Sequence, residues 1–299
     1  MALLIITTIL WAFSFSLIGE YLAGSVDSYF SVLMRVGLAA LVFLPFLRTR
    51  GQSPRTIVLY MLVGAMQLGI MYLLAFRAYL YLTVSEFLLF TVFTPLYITL
   101  IYDLLSGRKL RWGYLLSAAL AVLGAAIIRY DKVSDHFWTG LLLVQLSNLC
   151  FAIGMVGYKR LMEVRPMPQH NAFAWFYVGA FIVAVAAWFM LGNAQKLPTT
   201  TLQWSVLVWL GVVASGLGYF MWNYGATQVD AGTLGIMNNV HVPAGLLVNL
   251  AIWQEQPHWP SFISGALVIL ASLWVHRHWV APHSGQTADD RRRGSAQSE

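Results

Sequence analysis

Polar side chains interrupt one strongly apolar stretch of the sequence, residues 232–253. At its centre, the segment GIMNNVHVP carries two amides, an imidazole and a proline: Asn238, Asn239, His241 and Pro243. Amides both donate and accept hydrogen bonds, and an imidazole also changes its charge near neutral pH. Inside an apolar helix, such groups either bond a neighbouring helix or bind a polar solute in a cavity.

A matching proline breaks a second apolar stretch, residues 83–105. Aligning Pro95 with Pro243 also pairs Ala78 with Ala226 and brings the apolar segments on either side into register. Proline has no N–H, so each of the two leaves the carbonyl four residues earlier without its usual helical partner. Helix breaks at corresponding points of two repeats commonly border a binding site, and we expect these two breaks to do so.

Helical geometry places the polar residues of each stretch on one face. At about 100° per residue, the later stretch presents a polar or small face formed by Gly235, Asn238, His241, Gly245 and Asn249. The earlier stretch presents a carboxylate and aromatic rings: Glu86, Phe90, Phe93 and Tyr97. We therefore favour a common cavity lined by both faces, with Tyr97 among the solute contacts, over simple bonding between helices.

Two ionisable residues lie inside apolar stretches, where a charge is costly and usually faces water or a partner. Arg35 lies near the start of residues 28–47, and Glu86 lies near the start of residues 83–105. The predicted topology places both starts at the same side of the membrane. The guanidinium of Arg35 could hold an anionic solute, because its planar fork matches a carboxylate with two hydrogen bonds. The alternative is an Arg35–Glu86 ion pair that fixes helix packing, and an incoming carboxylate could break such a pair.

Trp11 and Trp222 lie among small or polar neighbours inside apolar stretches. Aromatic residues there commonly only pack, but these two could also stack against an apolar ring of a solute. His241 and Glu86 are the residues that could carry a proton, since imidazole titrates near neutrality and burial raises a carboxyl pKa. The other histidines show no metal-ligand spacing, and no metal or cofactor is expected.

The elements that position these residues must be membrane helices. Of the 299 residues, 59% are hydrophobic and 10% are charged, whereas soluble domains carry roughly a quarter charged residues. A transmembrane helix needs roughly 20 mostly apolar residues. Ten segments approach that length: 2–19, 28–47, 57–76, 83–105, 111–128, 138–158, 171–191, 202–224, 232–253 and 260–278. We therefore predict an all-α integral membrane protein with ten transmembrane helices, surrounded by lipid.

The positions of Lys and Arg predict the orientation, since cytoplasmic loops are enriched in both. With the N-terminus in the cytoplasm, thirteen of the 18 Lys and Arg residues fall in cytoplasmic loops or the C-terminal tail, and four fall in outer loops or at outer helix ends. The remaining one, Arg35, lies inside a span. An even number of spans then predicts that both termini are cytoplasmic. This topology accounts for the net charge of +6, so the charge indicates no nucleic-acid partner.

The alignment of the two proline-bearing stretches extends to five segments in each half. It predicts a first five-helix repeat at 1–136, a second at 137–278, and a disordered cytoplasmic tail at 279–299. Because five is odd, the second repeat would enter the membrane from the opposite side. Inverted repeats are typical of secondary transporters, which bind substrate near the midplane between the halves.

Three motifs stand out along the chain: WAFSFSL (11–17), GVVASGLGYFMWNYGATQVDAG (211–232) and WQEQPHWPSFISGALVILASLW (253–274). They resemble motifs of the drug/metabolite transporter superfamily, specifically of its ten-span EamA-type members. Arg35 resembles the arginine that often opens the second span, while Glu255 and Gly265 resemble the family's acidic residue after span nine and its glycine in span ten. Gly107 stands at the first-half equivalent of the acidic residue, so this pattern is incomplete. The resemblance covers residues 2–278 and implies a carrier of small solutes.

The sequence therefore predicts a secondary transporter that takes up a small amphipathic carboxylate by alternating access. An exporter of amino acids or other metabolites with the same fold is the alternative, and a receptor without transport is a further one. The sequence has no phosphate-binding loop for ATP. Its spans also lack the catalytic pairs and zinc motifs of intramembrane proteases, so we expect no enzyme.

Overall fold

The computed structural model describes residues 2–105, 135–229 and 244–254, together with isolated positions between 120 and 274. Within these residues the chain forms helices and turns, and no strand occurs. Seven helical stretches are long and apolar enough to cross a bilayer: α1 (Ala2–Tyr21), α2 (Ser28–Phe46), α3 (Pro54–Ala78), α4 (Val84–Tyr102), α5 (Asp135–Val164), α6 (Gln169–Leu191) and α7 (Thr201–Thr227). A shorter apolar helix, α8, covers Ala244–Trp253. The predicted all-helical membrane fold is confirmed.

The seven long helices coincide with seven of the ten predicted spans. Five of them extend a few residues beyond a predicted end, whereas α2 and α4 lie within the predicted 28–47 and 83–105. The predicted spans 111–128 and 260–278 lie largely outside the described residues. The predicted span 232–253 is described continuously only from residue 244 onward, as α8. The total of ten spans therefore stays a prediction.

Polar residues between the spans define where the helices begin. The Asp27 side chain accepts a hydrogen bond from a backbone N–H in the first turn of α2. Ser53 caps α3 in the same way, with Pro54 in the first helical position. At α4, Thr83 and Glu86 form a capping box, in which each side chain accepts a bond from the backbone N–H of the other. These caps satisfy N–H groups that a helix start leaves unpaired.

Two helices contain a wider helical turn at corresponding places. α3 is π-helical over Ala65–Ile70, and α7 is π-helical over Leu210–Leu217. The alignment of Pro95 with Pro243 makes these two segments overlap. Turns of this kind are frequent at functional sites, because they free main-chain carbonyls for other partners.

The described residues fall into two compact units. The first comprises Met1–Pro95 and Ser134–Glu255, and the second comprises Leu96–Val133 and Gln256–Glu299. In the second unit, Tyr97 and Leu100 pack against Leu96.

In the first unit, α3 crosses α6 at two glycines that each pack against the backbone of the other helix. A Cβ atom on Gly64 would lie 1.9 Å from the carbonyl oxygen of Phe176. A Cβ atom on Gly179 would likewise lie 1.9 Å from the carbonyl oxygen of Met61. Only glycine, which has no Cβ, allows so close an approach.

Candidate functional site

The first unit contains a cavity lined by residues of α1 to α5 and α7 together with Asn238. Much of its wall is aromatic and includes Trp11, Tyr72, Tyr79, Phe87, Phe151 and Tyr219. A guanidinium and two amides also line it: Arg35, Asn148 and Asn238. Four serine and threonine side chains also line it: Ser14, Thr91, Thr94 and Ser147. An apolar wall with a few polar groups suits an amphipathic solute.

Arg35 presents a fixed cation to this cavity. It is 3% exposed, and its Nε donates a hydrogen bond to the hydroxyl of Ser215. Its guanidinium carbon lies 4.2 Å from the centre of the Tyr72 ring, whose hydroxyl shares a 2.9 Å hydrogen bond with that of Ser215. No described residue accepts a hydrogen bond from the terminal nitrogens Nη1 and Nη2. These nitrogens can therefore hold the carboxylate of a solute through two parallel hydrogen bonds.

The π-helical turn of α7 holds the groups around Arg35 in place. The indole Nε1 of Trp11 donates a 2.9 Å hydrogen bond to the main-chain carbonyl of Ala214. The Tyr177 hydroxyl donates a 2.7 Å hydrogen bond to the carbonyl of Ser215. Because the Ser215 hydroxyl also accepts from Arg35, one turn of α7 positions both the cation and an aromatic ring of the cavity.

Trp11 lines the cavity, whereas Trp222 supports it from behind. The ring centre of Trp11 lies 4.7 Å from that of Tyr219 and 5.0 Å from that of Trp222. Trp222 is fully buried, its indole N–H donates to the sulfur of Met155, and it does not line the cavity. Of the two tryptophans selected from the sequence, Trp11 is the one positioned to contact a solute.

Two buried polar groups of the cavity wall have no hydrogen-bond partner within the described chain: the Tyr79 hydroxyl and Nδ2 of Asn238. Tyr79 follows α3 and stacks on Phe87, with ring centres 4.3 Å apart. Burial raises the pKa of Tyr79 well above 10.0, outweighing the lowering by Arg35, so its hydroxyl stays protonated. An unsatisfied buried donor costs about 1–3 kcal/mol, which a solute with suitable acceptors would offset.

At the helix break before Pro95, side chains of the cavity wall donate hydrogen bonds to main-chain carbonyls. α4 tightens from an α-helix to a 3-10 turn that begins at Thr91. The carbonyl of Thr91, which Pro95 cannot bond because it has no N–H, accepts from the backbone N–H of Thr94 and, at 2.7 Å, from the Thr94 hydroxyl. The carbonyl of Phe90 accepts one of 2.9 Å from Nδ2 of Asn148. Thr91, Thr94 and Asn148 all line the cavity.

Glu86 lies at the start of α4 and does not line the cavity. Its carboxylate accepts a 2.9 Å hydrogen bond from the backbone N–H of Thr83. The structure describes both Glu86 and Arg35 and shows no ion pair between them. The ion pair that the sequence offered as an alternative is therefore not formed in this structure.

Three residues selected from the sequence, Asn239, His241 and Pro243, lie outside the described residues. Tyr97 belongs to the second compact unit, where it packs against Leu96. Contacts of these residues with a solute stay predictions. Where the chain is described, no group of three or more His, Cys, Asp and Glu side chains could hold a metal ion.

Asn148, Ser215 and Tyr79 join the site although we did not select them from the sequence. Asn148 carries the signal that marked Asn238, an amide within an apolar span, but no proline lies near it. Ser215 lies in the small-residue segment ASG, which is typical of helix packing, and Tyr79 lies between spans in RAYLYL. Only Asn148 could have been found from its sequence surroundings.

Relatives of similar sequence bear the names of transporters. The sequence profile of the EamA-like transporter family matches residues 1–130 and 138–277. The biotin transporters of Escherichia coli K12 and Salmonella typhimurium are each 83% identical over 299 residues, which is 100% of this chain and of theirs. The probable biotin transporter of Pseudomonas aeruginosa is 55% identical over 93% of this chain and 97% of its own. A protein of known crystal structure, 17% identical, shares the fold with a TM-score of 0.64 over 92% of this chain and 95% of that chain.

Proposed function

Because the chain belongs to the EamA-like transporter family, we propose that it is a secondary carrier that takes up biotin across the bacterial inner membrane. The family confirms the sequence-based prediction of a transporter rather than an enzyme. The names of relatives up to 83% identical over the full chain support biotin as the substrate. The chain as a whole also resembles the biotin permease of Gram-negative bacteria, and this resemblance suggested the same substrate from the sequence.

The observation that carries the proposal is that Arg35 lines an aromatic cavity while its Nη1 and Nη2 bond no described residue. Biotin has a carboxylate that two hydrogen bonds would hold against Nη1 and Nη2. Its apolar fused rings would stack on Trp11, which Trp222 supports. Its ureido group would bond the amides selected from the sequence, Asn238 and Asn239.

We further propose ten spans arranged as two inverted five-helix repeats, residues 1–136 and 137–278, with a cytoplasmic tail at 279–299. The match of the family profile to two separate segments supports this arrangement, as do the π-turns at corresponding places in α3 and α7. Reporter fusions test it. A reporter at residue 299 should report the cytoplasm and one at residue 132 the periplasm, and the same compartment at both sites would contradict it.

Alternating access would move the substrate as the two repeats rock around the cavity. A proton is the coupling ion we propose, with Glu86 and His241 as the residues that could carry it. Replacing the responsible residue, as in His241→Asn or Glu86→Gln, should flatten the dependence of uptake on external pH. A pH profile that neither substitution alters would exclude both residues.

Uptake of labelled biotin tests the proposed function. In a bacterial strain that neither makes nor imports biotin, expression of this chain should restore uptake and growth on low external biotin, whereas an empty vector should not. Unchanged uptake would contradict the proposal. Faster loss of preloaded solutes from expressing cells would instead favour the alternative, an exporter of amino acids or other metabolites.

A further inference from the structure

We propose that Asn148 and Asn238 form a subsite for a cyclic urea. In this subsite, Oδ1 of Asn148 accepts a hydrogen bond from a urea N–H, and Nδ2 of Asn238 donates one to the urea carbonyl. The inference rests on the proposed biotin substrate and assigns its ring recognition to specific atoms. Asn148 is thereby assigned as a specificity-determining residue.

The bonding around Asn148 fixes which end of its amide faces the cavity. Its Nδ2 donates to the carbonyl oxygen of Phe90 at 2.9 Å and approaches Oε1 of Gln145 at 3.5 Å. Both of these atoms are acceptors, so the nitrogen rather than the oxygen must point toward them. Asn148 is 5% exposed and lines the cavity, and no described residue donates to its Oδ1. This oxygen is therefore oriented as an acceptor for a solute.

The break in α4 is what makes this orientation possible. The Phe90 carbonyl precedes the 3-10 turn and Pro95, and it accepts from side chains of α5, namely Asn148 and Gln145. In an unbroken helix this carbonyl would accept from a backbone N–H four residues later. In the 3-10 turn the backbone N–H of Thr94 bonds the Thr91 carbonyl instead, so the Phe90 carbonyl can hold an amide of another helix in one orientation.

Asn238 supplies the complementary atom. It is 1% exposed, it lines the same cavity, and its Nδ2 has no partner among the described residues. A buried amide donor without a partner is uncommon, and it indicates that a ligand atom completes its bonding. The hydroxyls of Ser14 and Ser147 are already engaged, since they donate to main-chain carbonyls. The Tyr79 hydroxyl is the other buried donor of the wall without a partner among the described residues.

The chemistry of the two free atoms matches a cyclic urea. Such a ring presents an N–H donor beside a C=O acceptor, and the cavity offers one amide oxygen and one amide nitrogen for them. A simple fatty acid would satisfy Arg35 but leave both amides unpaired. A buried polar site rejects an analogue that lacks the matching group, because its own atoms then stay unsatisfied.

Two ligand analogues and four variants of the purified full-length chain test the subsite. The ligands are biotin, 2-iminobiotin, in which an imino group replaces the urea carbonyl oxygen, and biotin methylated on its urea nitrogens. Asn238→Leu has the matched control Asn249→Leu, because Asn249 is equally buried but bonds Ser16 and Ser85 outside the cavity wall. Asn148→Leu has the control Gln145→Leu, which removes a bond to the same Phe90 carbonyl and keeps the amide of the cavity.

We expect Asn238→Leu to weaken biotin binding about tenfold, the effect of one hydrogen bond of about 1.4 kcal/mol. The same substitution should leave 2-iminobiotin binding nearly unchanged, so the preference for biotin falls about tenfold. Asn148→Leu should reduce the preference for biotin over its methylated form by a similar factor. The controls Gln145→Leu and Asn249→Leu should keep the wild-type preferences for biotin over 2-iminobiotin and over methylated biotin.

The subsite would be overturned if Asn148→Leu and Asn238→Leu kept the wild-type preferences for biotin over the two analogues, or if the controls lost these preferences equally. Biotin binding by the wild type would then still support the proposed function. Failure of the wild type to bind biotin would overturn the proposed substrate together with the subsite.

Discussion

Arg35 is buried in the first unit, and its terminal nitrogens face a cavity without a carboxylate partner among the described residues. A buried cation without a counter-charge is costly unless an anionic ligand pairs with it. Ser215 and Tyr72 fix the direction of the guanidinium rather than neutralise its charge. This arrangement explains why an arginine, with a planar fork, is suited to the position and a lysine is not.

Substitutions of Arg35 should distinguish the contribution of its charge from that of its paired hydrogen bonds. Arg35→Lys keeps the charge but loses the paired hydrogen bonds, and we expect it to weaken biotin binding by about tenfold or more, from a loss of roughly 1.5–3 kcal/mol. Arg35→Ala should remove binding. Equilibrium binding of labelled biotin to purified protein measures both effects, and the amount of protein in the membrane should stay near normal.

Biotin methyl ester provides the control for this substitution. The wild type should prefer biotin strongly over the ester, and Arg35→Ala should lose that preference. An undiminished preference in Arg35→Ala would contradict the assignment of the carboxylate to Arg35. Disappearance of the protein from the membrane would instead mean that Arg35 is required for folding.

Tyr79→Phe should change stability and binding in opposite directions. The substitution removes a buried hydroxyl that has no partner within the described chain, and the phenyl ring can keep its stacking on Phe87. We therefore expect the ligand-free protein to gain up to about 1 kcal/mol in the free energy of unfolding, while biotin affinity falls several-fold. Thermal melting with and without biotin measures both, and a fall in both quantities would indicate a purely structural role.

Individual site residues could be predicted from the sequence where a polar group stands out in an apolar stretch. That signal selected Arg35 and Asn238, which the structure brings to one cavity, and it was equally present at Asn148. Ser215 carried no such signal, because its role depends on a π-turn that is invisible in the residue types. Tyr79 depends on the path of the chain between α3 and α4, which sequence periodicity does not determine.

Glycines at helix crossings control how closely the helices of the first unit approach. A Cβ on Gly154 of α5 would lie 2.1 Å from Cβ and 2.7 Å from Cα of Gln67, which lies in the π-turn of α3. A Cβ on Gly157, one turn later, would lie 3.2 Å from the nearest side-chain atom, Cγ2 of Val63. The two positions therefore form a matched pair within one helix.

Gly154→Ala should destabilise the protein by several kcal/mol, since overpacking against backbone commonly costs about 1–3 kcal/mol or more. Gly157→Ala should be nearly neutral, because the Val63 side chain can shift and alanine is favoured in helices by about 1 kcal/mol. Yield of folded protein and melting temperature compare them. Equal melting temperatures for the two variants would show that α5 can move away from the π-turn without loss.

Apolar length and composition predicted the seven helices well, since the bilayer requires about 20 apolar residues from any spanning helix. The same rule could not predict the π-turns of α3 and α7 or the 3-10 turn of α4. These irregularities depend on partners in other helices, such as Trp11 bonding the Ala214 carbonyl. Pro95 gave a partial signal, because it marked where α4 would lose regular bonding.

The whole molecule combines residues of both predicted repeats in one compact unit. Arg35 lies on α2 of the first repeat and Asn148 on α5 of the second, and both line the same cavity. A rocking movement of one repeat against the other would therefore change the bonding of every group proposed to hold biotin. The number of spans and their orientation follow from hydropathy and charge, and they stay predictions where the chain is not described.

The central claim is that biotin binds in the cavity with its carboxylate on Arg35, and an experimental structure of the purified protein with bound biotin tests it most directly. We expect the ligand between Trp11 and Tyr79, with both carboxylate oxygens about 2.7–2.9 Å from Nη1 and Nη2 of Arg35. Biotin bound elsewhere, with Arg35 still directed into a cavity that the ligand does not enter, would contradict the claim.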